Sequence, residues 1–159
     1  MKDISRGSIP DPTASLVRSV RRIAQAIDVR SREIARLTGL TLPQLVVLQS
    51  IRALGEVSTS AISRDVSMSP PTVVAVLDRL EAQGMVVRYR STMDRRIVHA
   101  RLTDQGREAL TTAPGLLRTD ALLRWSALSL DQKQALADAM ELLSTLMTAQ
   151  SQDRDPAVA

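Results

Sequence analysis

A short basic segment is the part of this sequence whose residue types and spacing could do chemistry. Between Arg88 and Arg101 there are five arginines and a single acidic residue, Asp94. This local excess of positive charge equals the +4 net charge of the whole chain. Because clustered guanidinium groups are suited to contacting phosphates, the segment favours a polyanionic partner. A solvated hairpin with incidental arginines is the alternative interpretation.

The side chains that most catalytic and metal sites need are scarce. The chain has no Cys, and His99 is its one histidine, which excludes thiolate chemistry, disulfides and multi-histidine metal sites. It also has no Gly-x-Ser-x-Gly motif and no glycine-rich phosphate-binding loop. We therefore expect no enzyme, no cofactor and no metal. Aromatic residues make up only 1%, which disfavours binding of single strands by stacking.

Length and composition point to one domain, or to one compact domain with a helical appendage, and to an aliphatic core. The 159 residues are 44% hydrophobic and 24% charged, and no apolar run approaches the ~20 residues of a membrane-spanning helix. The first residues, Met1 to Arg6, lack the apolar region of a secretory signal. We expect no membrane contact and a cytoplasmic location.

Two helices are predicted at the start of the chain. Apolar residues recur at helical spacing from Thr13, Gly39 ends that pattern, and residues 1–12 read as a loose arm. Thr41 and Gln44 form a capping box for the second helix, which Gly55 ends. The stripe predicted to be buried in this second helix consists of Leu45, Leu48, Ile51 and Leu54.

Two shorter helices and a hairpin follow. Ser58 caps a third helix, residues 67–69 form a tight turn, and Pro70-Pro71 opens a fourth helix that ends at Gly84. Two β-type runs, residues 85–90 and 97–102, predict a two-stranded antiparallel hairpin with a long polar tip.

The C-terminal third is predicted to be helical again. Thr103 caps a fifth helix, which Pro114-Gly115 kinks or interrupts. Ser129 caps a sixth helix whose apolar surface is wide enough to suggest burial on two sides, and the tail from Gln150 is expected to fray. The fold class is thus mainly α with a small β-hairpin.

The order of these elements predicts a winged helix-turn-helix. Two short helices are joined by a tight turn, and the hairpin that follows carries arginines at its tip. The second of these helices fits the major groove with its N-terminal amides toward phosphate, and an arginine at the hairpin tip can enter the narrow minor groove.

Three sequence motifs then resemble the MarR family of bacterial transcription regulators. They are the segment 40–45, the segment 80–86, and Asp94-Arg95-Arg96 followed by Leu102-Thr103 and Gly106. The resemblance implies a homodimer, with residues 13–39 and 104–149 forming a helical dimerisation part and residues 40–103 forming the winged DNA-binding part. It also implies a palindromic double-stranded DNA site, read on successive major grooves, and repression as the commoner mode of action.

The resemblance implies roles for individual residues. Arg96 matches the wing arginine that relatives place in the minor groove, Asp94 matches the carboxylate that orients it, and Arg95 is expected to reach phosphate or hold Asp94. The full set expected to contact DNA is Ser58, Thr59, Ser60, Ser69, Pro70, Pro71, Thr72, Arg88, Arg90, Asp94, Arg95 and Arg96.

One position departs from the pattern of some relatives, which carry an arginine where this chain has Ala75. Alanine cannot bridge two acceptors on guanine and can only pack near a thymine methyl. We therefore expect modest direct base reading and a larger share of shape readout by the wing at A·T-rich sequence.

The family resemblance also implies a small aromatic or lipophilic effector that releases DNA. Trp125 and nearby Leu and Met residues could line its crevice, although ordinary core packing is the more frequent role of such residues. Pro114-Gly115 is either a hinge or a static kink, and His99 contacts phosphate, packs as a neutral group or faces solvent. Two other functions remain open, a non-specific architectural DNA-binding protein and a helical protein-interaction module.

Overall fold

The computed structural model describes residues 11–148, and the chain divides into two compact units between Leu116 and Leu117. The predicted arm (apart from residues 11 and 12) and the predicted frayed tail lie outside the described residues. The first unit contains α1 (Pro12–Thr38), α2 (Leu42–Leu54), β1 (Val57–Ser58), α3 (Thr59–Asp65), α4 (Pro70–Ala82), β2 (Val86–Arg90), β3 (Val98–Leu102) and α5 (Asp104–Thr112). The second unit contains α6 (Thr119–Ser126) and α7 (Leu130–Thr148).

Polar side chains fix where the helices begin. Thr41 donates its amide N–H to Gln44 Oε1 at 2.8 Å, within the predicted capping box of α2. Ser58 and Thr103 accept amide hydrogens in the first turns of α3 and α5, so these predicted caps are confirmed. The first helix begins slightly earlier than predicted because Asp11 accepts hydrogen bonds from the amides of residues 13 and 14.

The predicted tight turn between α3 and α4 is present, and hydrogen bonds close it. Ser67 adopts a left-handed conformation with φ of 52°. Ser63 Oγ donates to the Met68 carbonyl at 2.5 Å, and the Met68 amide donates back to the Ser63 carbonyl at 3.2 Å. These bonds fix the direction in which the chain enters α4.

Aliphatic side chains form the core of the first unit. Ile34 of α1 and Leu110 of α5 join residues of the winged part in this core. Leu54 was predicted to be buried with the α2 stripe, but it lies 48% exposed at the last residue of α2. The other stripe residues are buried, and the largest fully buried side chains are Ile34, Leu40, Leu45, Leu48, Ile51, Ile62, Leu77, Leu80, Val47, Val73 and Val86.

The β-sheet has three strands, in the order β1-β3-β2, with both pairs antiparallel. The predicted hairpin is confirmed as β2 and β3, in which Val86 faces Leu102 and Arg90 faces Val98. The prediction of two strands was incomplete, because β1 pairs Val57 with Ala100 on the other side of β3. The sheet therefore ties the start of α3 to the wing.

The predicted fifth helix is interrupted, and its continuation lies in the second unit. α5 ends at Thr112, before Pro114, and α6 begins at Thr119. The expected burial of α7 on two sides is not found within the described chain, since neither α6 nor α7 has a buried residue. Trp125 is 38% exposed within the described chain.

No single helix within residues 11–148 is both long and apolar enough to cross a membrane. Only α1 and α2 taken together reach the length and composition required, and a 75° bend separates them.

Candidate DNA-binding interface

The N-terminus of α4 presents polar groups to solvent. Ser69 caps the helix by accepting the Thr72 amide hydrogen, and the hydroxyls of Ser69 and Thr72 lie 2.7 Å apart. Pro70 and Pro71 occupy the first turn, where a missing amide hydrogen costs no helical hydrogen bond. All four side chains are exposed, and so is Ala75 one turn later. Because Pro70 and Pro71 have no amide hydrogen and the Thr72 amide donates to Ser69, the groups here that suit phosphate contact are the exposed hydroxyls of Ser69 and Thr72, together with the helix dipole.

Side chains at the start of α3 already make hydrogen bonds within the protein. Ser58 Oγ accepts the Ala61 amide hydrogen at 3.3 Å and lies 3.1 Å from Ser60 Oγ. Thr59 Oγ1 lies 3.5 Å from the Val98 carbonyl of β3, at the limit of hydrogen bonding. Ser58 and Thr59 are half-buried, whereas Ser60 is exposed. Ser60 is therefore the most accessible of the three predicted contacts.

The wing tip, residues 91–97 between β2 and β3, is held by a compact set of hydrogen bonds. The Ser91 amide donates to the Ile97 carbonyl, and the Ile97 amide donates to the Asp94 carbonyl, each at 2.9 Å. Ser91 Oγ accepts the amide hydrogens of Met93 at 3.2 Å and Asp94 at 3.3 Å. These bonds fix the backbone from which the basic side chains project.

The structure brings Asp94 and Arg96 together as the sequence predicts. Asp94 Oδ1 accepts the Arg96 amide hydrogen at 2.9 Å and lies 3.8 Å from Arg96 Nε. The Arg96 side chain is 94% exposed, whereas that of Asp94 is 48% exposed. Arg95 is also exposed, and its carbonyl accepts a 3.3 Å hydrogen bond from Arg90. Arg96 thus lies beside the Asp94 carboxylate, and Arg90 and Arg95 lie at the same tip.

The last of the predicted basic contacts, Arg88, is directed into the protein. Its guanidinium contacts Glu81 Oε2 at 2.6 Å and Asp78 Oδ1 at 2.7 Å, and its amide donates to Glu81 Oε1 at 3.1 Å. The side-chain hydrogen bond to Arg88 lowers the pKa of Glu81, and the bond to Glu81 raises the pKa of Arg88. Its geometry gives Arg88 a positioning role that the sequence analysis missed, namely fastening β2 to α4.

Comparison with known proteins identifies the family. Residues 40–98, which contain the helix-turn-helix and most of the wing, match the model of the MarR family. This part of the chain belongs to the MarR family. Proteins of this family are transcription regulators and not enzymes, in agreement with the sequence analysis.

One curated relative and two solved structures illustrate the similarity. The chain is 33% identical over 88 residues to the HTH-type transcriptional repressor MdtR of Bacillus subtilis (strain 168), covering 55% of this chain and 57% of that protein. It superposes with a TM-score of 0.63 and 28% identity on the transcriptional repressor CouR bound to a 23-mer DNA duplex, covering 90% of this chain and 99% of that one. For a MepR like protein complexed with pseudoligands, the TM-score is 0.65 and the identity 25%, over 87% and 97% of the two chains.

The sequence similarity is concentrated in one region. The chain spans only 46% to 64% of the length of three curated Bacillus subtilis regulators that it matches. What these relatives bind therefore extends to this MarR-family chain only as a proposal.

The outer face of the sheet carries a second polar cluster in this MarR-family chain. Tyr89 donates its phenolic hydrogen to Glu56 at 2.5 Å, which raises the pKa of Tyr89. The ring of His99 packs edge-on against Tyr89 with centroids 5.6 Å apart, and the Arg101 guanidinium lies 6.0 Å from the Tyr89 ring centroid. Of the expectations for His99, packing against a neighbouring ring is the arrangement that the structure displays.

A groove of about 350 Å³ lies beside this cluster, between the end of α2, β3 and α5. Arg52, Arg101 and Arg107 line it against a single carboxylate, Glu56, and Ile51 and Leu102 provide apolar surface. Its lining suits an amphipathic anion better than a cation. A metal is a poor occupant, since no group of three His, Asp or Glu within the described residues could hold one.

Proposed function

We propose that this protein is a sequence-specific regulator of transcription that binds double-stranded DNA as a homodimer and acts as a repressor. The observation that carries the proposal is the wing tip, where Arg90, Arg95 and Arg96 project with only Asp94 to offset their charge. The same compact unit exposes the polar N-terminus of α4. In this proposal α4 enters the major groove and the wing reaches the adjacent minor groove.

Exposed apolar side chains support the homodimer. On α1, Leu16, Val17, Ile23 and Ile27 are each between 38% and 44% exposed. The helices α6 and α7 bury none of their residues within the described chain, although they carry many leucines and methionines. Exposed apolar side chains in such number are typical of an association surface. Two copies joined through these helices would present two winged parts to a palindromic site.

Specificity in this proposal comes largely from the wing. Ala75 is exposed on α4 but offers no hydrogen bond to a base. Arg96 carries a nearly fully exposed guanidinium, which suits the strong negative potential of a narrow A·T-rich minor groove. We therefore expect Arg96→Ala to change the sequence preference at minor-groove positions, whereas an unchanged consensus there would refute this division of roles.

Selection of bound duplexes from a random library tests the function itself. The wild-type protein is expected to enrich a palindrome and to bind it about 10³-fold tighter than unrelated duplex. Affinity should fall with salt at a log–log slope near −0.9 for each phosphate contact. Arg96→Ala should flatten that slope, whereas Arg36→Ala, which removes an equal charge from exposed α1, should not.

Two other outcomes would replace the proposal. If unrelated duplex competes equally with the selected sequence, the protein is a non-specific architectural DNA-binding protein. If it binds no duplex in dilute buffer and instead binds a protein with weak salt dependence, the helical interaction module is the better description.

The proposal includes an anionic aromatic effector held in the groove between α2, β3 and α5. Three arginines and an apolar floor there match a carboxylate joined to a ring. Benzoate is a suitable probe, and it should weaken DNA binding by wild-type protein but not by Arg52→Gln. Equal release from both proteins would contradict this site. Because the proposed partner is chromosomal DNA, the proposal also places the protein in the cytoplasm.

A further inference from the structure

Met93, at the wing tip, stands out among the apolar side chains of the described residues. It is 94% exposed, more than any other large hydrophobic residue in that part of the chain. It belongs neither to the buried core nor to the partly buried residues packed against it. An unbranched apolar side chain in this position contributes nothing to folding, but it is available to bury surface when the wing meets a partner.

The backbone around Met93 is fixed rather than loose. Its amide donates to Ser91 Oγ at 3.2 Å, and the neighbouring Asp94 amide shares the same acceptor. Asp94 in turn accepts the Arg96 amide hydrogen. Met93 and Arg96 therefore lie three residues apart in one closed turn, each with a side chain 94% exposed, so a surface that Arg96 contacts is within reach of Met93.

The charge around Met93 favours one occupant. Arg90, Arg95 and Arg96 surround the tip, which would oppose contact with another basic surface such as a second wing. The same charges attract a duplex. Proteins that bind the minor groove commonly insert an apolar side chain, methionine included, at a base step, and flexible pyrimidine–purine steps yield most easily.

We propose that Met93 is an apolar wedge that enters the minor groove beside Arg96 and partly unstacks a pyrimidine–purine step. This inference rests on the proposed DNA-binding function. It assigns a specificity role to a side chain that is apolar and has no hydrogen-bond donor. Arg96 reads the width of the groove, and Met93 reads how easily the neighbouring step deforms.

Binding by matched variants tests the wedge. Met93→Gln keeps the length of the side chain and makes its end polar, and we expect it to weaken binding to the selected duplex by about 10- to 30-fold. Met93→Leu should stay within about threefold of wild type, because it restores an apolar wedge. Leu54→Gln, an exposed apolar residue on α2, controls for general loss of apolar surface and should bind like wild type.

A fluorescent base locates the effect. The selected duplex is labelled with 2-aminopurine at each position of the flanking minor groove in turn. Wild type and Met93→Leu should raise its fluorescence several-fold at one pyrimidine–purine step by unstacking the label, and Met93→Gln should not. Library selection with Met93→Gln should lose that step from the consensus while keeping the major-groove positions.

These measurements can refute the Met93 wedge without refuting DNA binding. If wild type binds its selected duplex tightly but Met93→Gln binds equally well, or fluorescence rises equally with both, the wedge is refuted and the DNA-binding proposal stands. If wild type enriches no sequence and binds no duplex, both are refuted together. Because Met93 is exposed, none of its variants should shift the thermal midpoint by more than a few degrees.

Discussion

Gly106, in the first turn of α5, is a position where one added methyl group should be costly. A Cβ atom built on Gly106 would lie 2.1 Å from the Met85 carbonyl oxygen and 3.1 Å from the carbonyl carbon. The obstacle is backbone at the start of the wing, which cannot rotate away as a flexible side chain can. Gly106→Ala must therefore push α5 and the entry to β2 apart by more than 1 Å.

The expected magnitude follows from what that displacement disturbs. The Thr103 amide donates to the Met85 carbonyl at 3.1 Å, and Thr103 Oγ1 donates to the Gly84 carbonyl at 2.7 Å. Losing two such bonds costs about 2 kcal/mol, and overpacking adds roughly 1–3 kcal/mol. The better helix propensity of alanine returns about 1 kcal/mol. We expect the free energy of unfolding to fall by about 2–4 kcal/mol.

Urea unfolding followed by circular dichroism, at one fixed protein concentration, measures this loss. Gly39→Ala is the matched control, since Gly39 has φ of 71° but nothing within 4 Å of the added Cβ. Its cost should be only the left-handed conformational penalty of about 1 kcal/mol. If Gly106→Ala proves no less stable than Gly39→Ala, the close approach of α5 to the wing entry is wrong.

Two further substitutions address the fastening of the wing and the break after α5. Arg88→Gln should destabilise the protein near neutral pH. Because Arg88 lowers the pKa of Glu81, the stabilisation from this pair is complete above the ordinary glutamate pKa of 4.5 and is lost as the pH falls. The difference in urea midpoint between Arg88→Gln and wild type should therefore shrink below about pH 4. An unchanged difference between pH 7 and pH 3 would contradict this. Arg30 donates two hydrogen bonds, at 2.9 and 3.0 Å, to the Gly115 carbonyl. Arg30→Gln should therefore raise amide exchange across residues 113–118 about tenfold, whereas Arg32→Gln, in an exposed ion pair, should leave it unchanged. Equal amide exchange in Arg30→Gln and Arg32→Gln would show that Arg30 does not restrain the segment 113–118.

Local signals in the sequence predicted most of the elements. The caps at Thr41, Ser58 and Thr103 and the break at Pro114 each depend on a few adjacent residues, and the structure has them where they were expected. β1 was missed because two residues carry no periodicity, and only pairing with β3, some 40 residues later, makes them a strand.

In the candidate site, contacts between residues close in sequence were predictable, and contacts between residues distant in sequence were not. Asp94 and Arg96 lie two residues apart in one turn, so their association follows from the motif. The ion pairs of Arg88 with Glu81 and Asp78 depend on how β2 folds back along α4, which no short-range pattern specifies. The exposure of Met93 was likewise visible only once the wing tip had a defined conformation.

The most direct test of the central claim is the stoichiometry and specificity of the DNA complex in a single titration. A labelled duplex carrying the selected palindrome is titrated with full-length protein at physiological salt, with unlabelled unrelated duplex as competitor. We predict saturation at two chains per duplex and about 10³-fold preference for the palindrome. Saturation at one chain, or displacement by unrelated duplex at equal concentration, would contradict the account of a dimer that reads its site through two arginine-tipped wings.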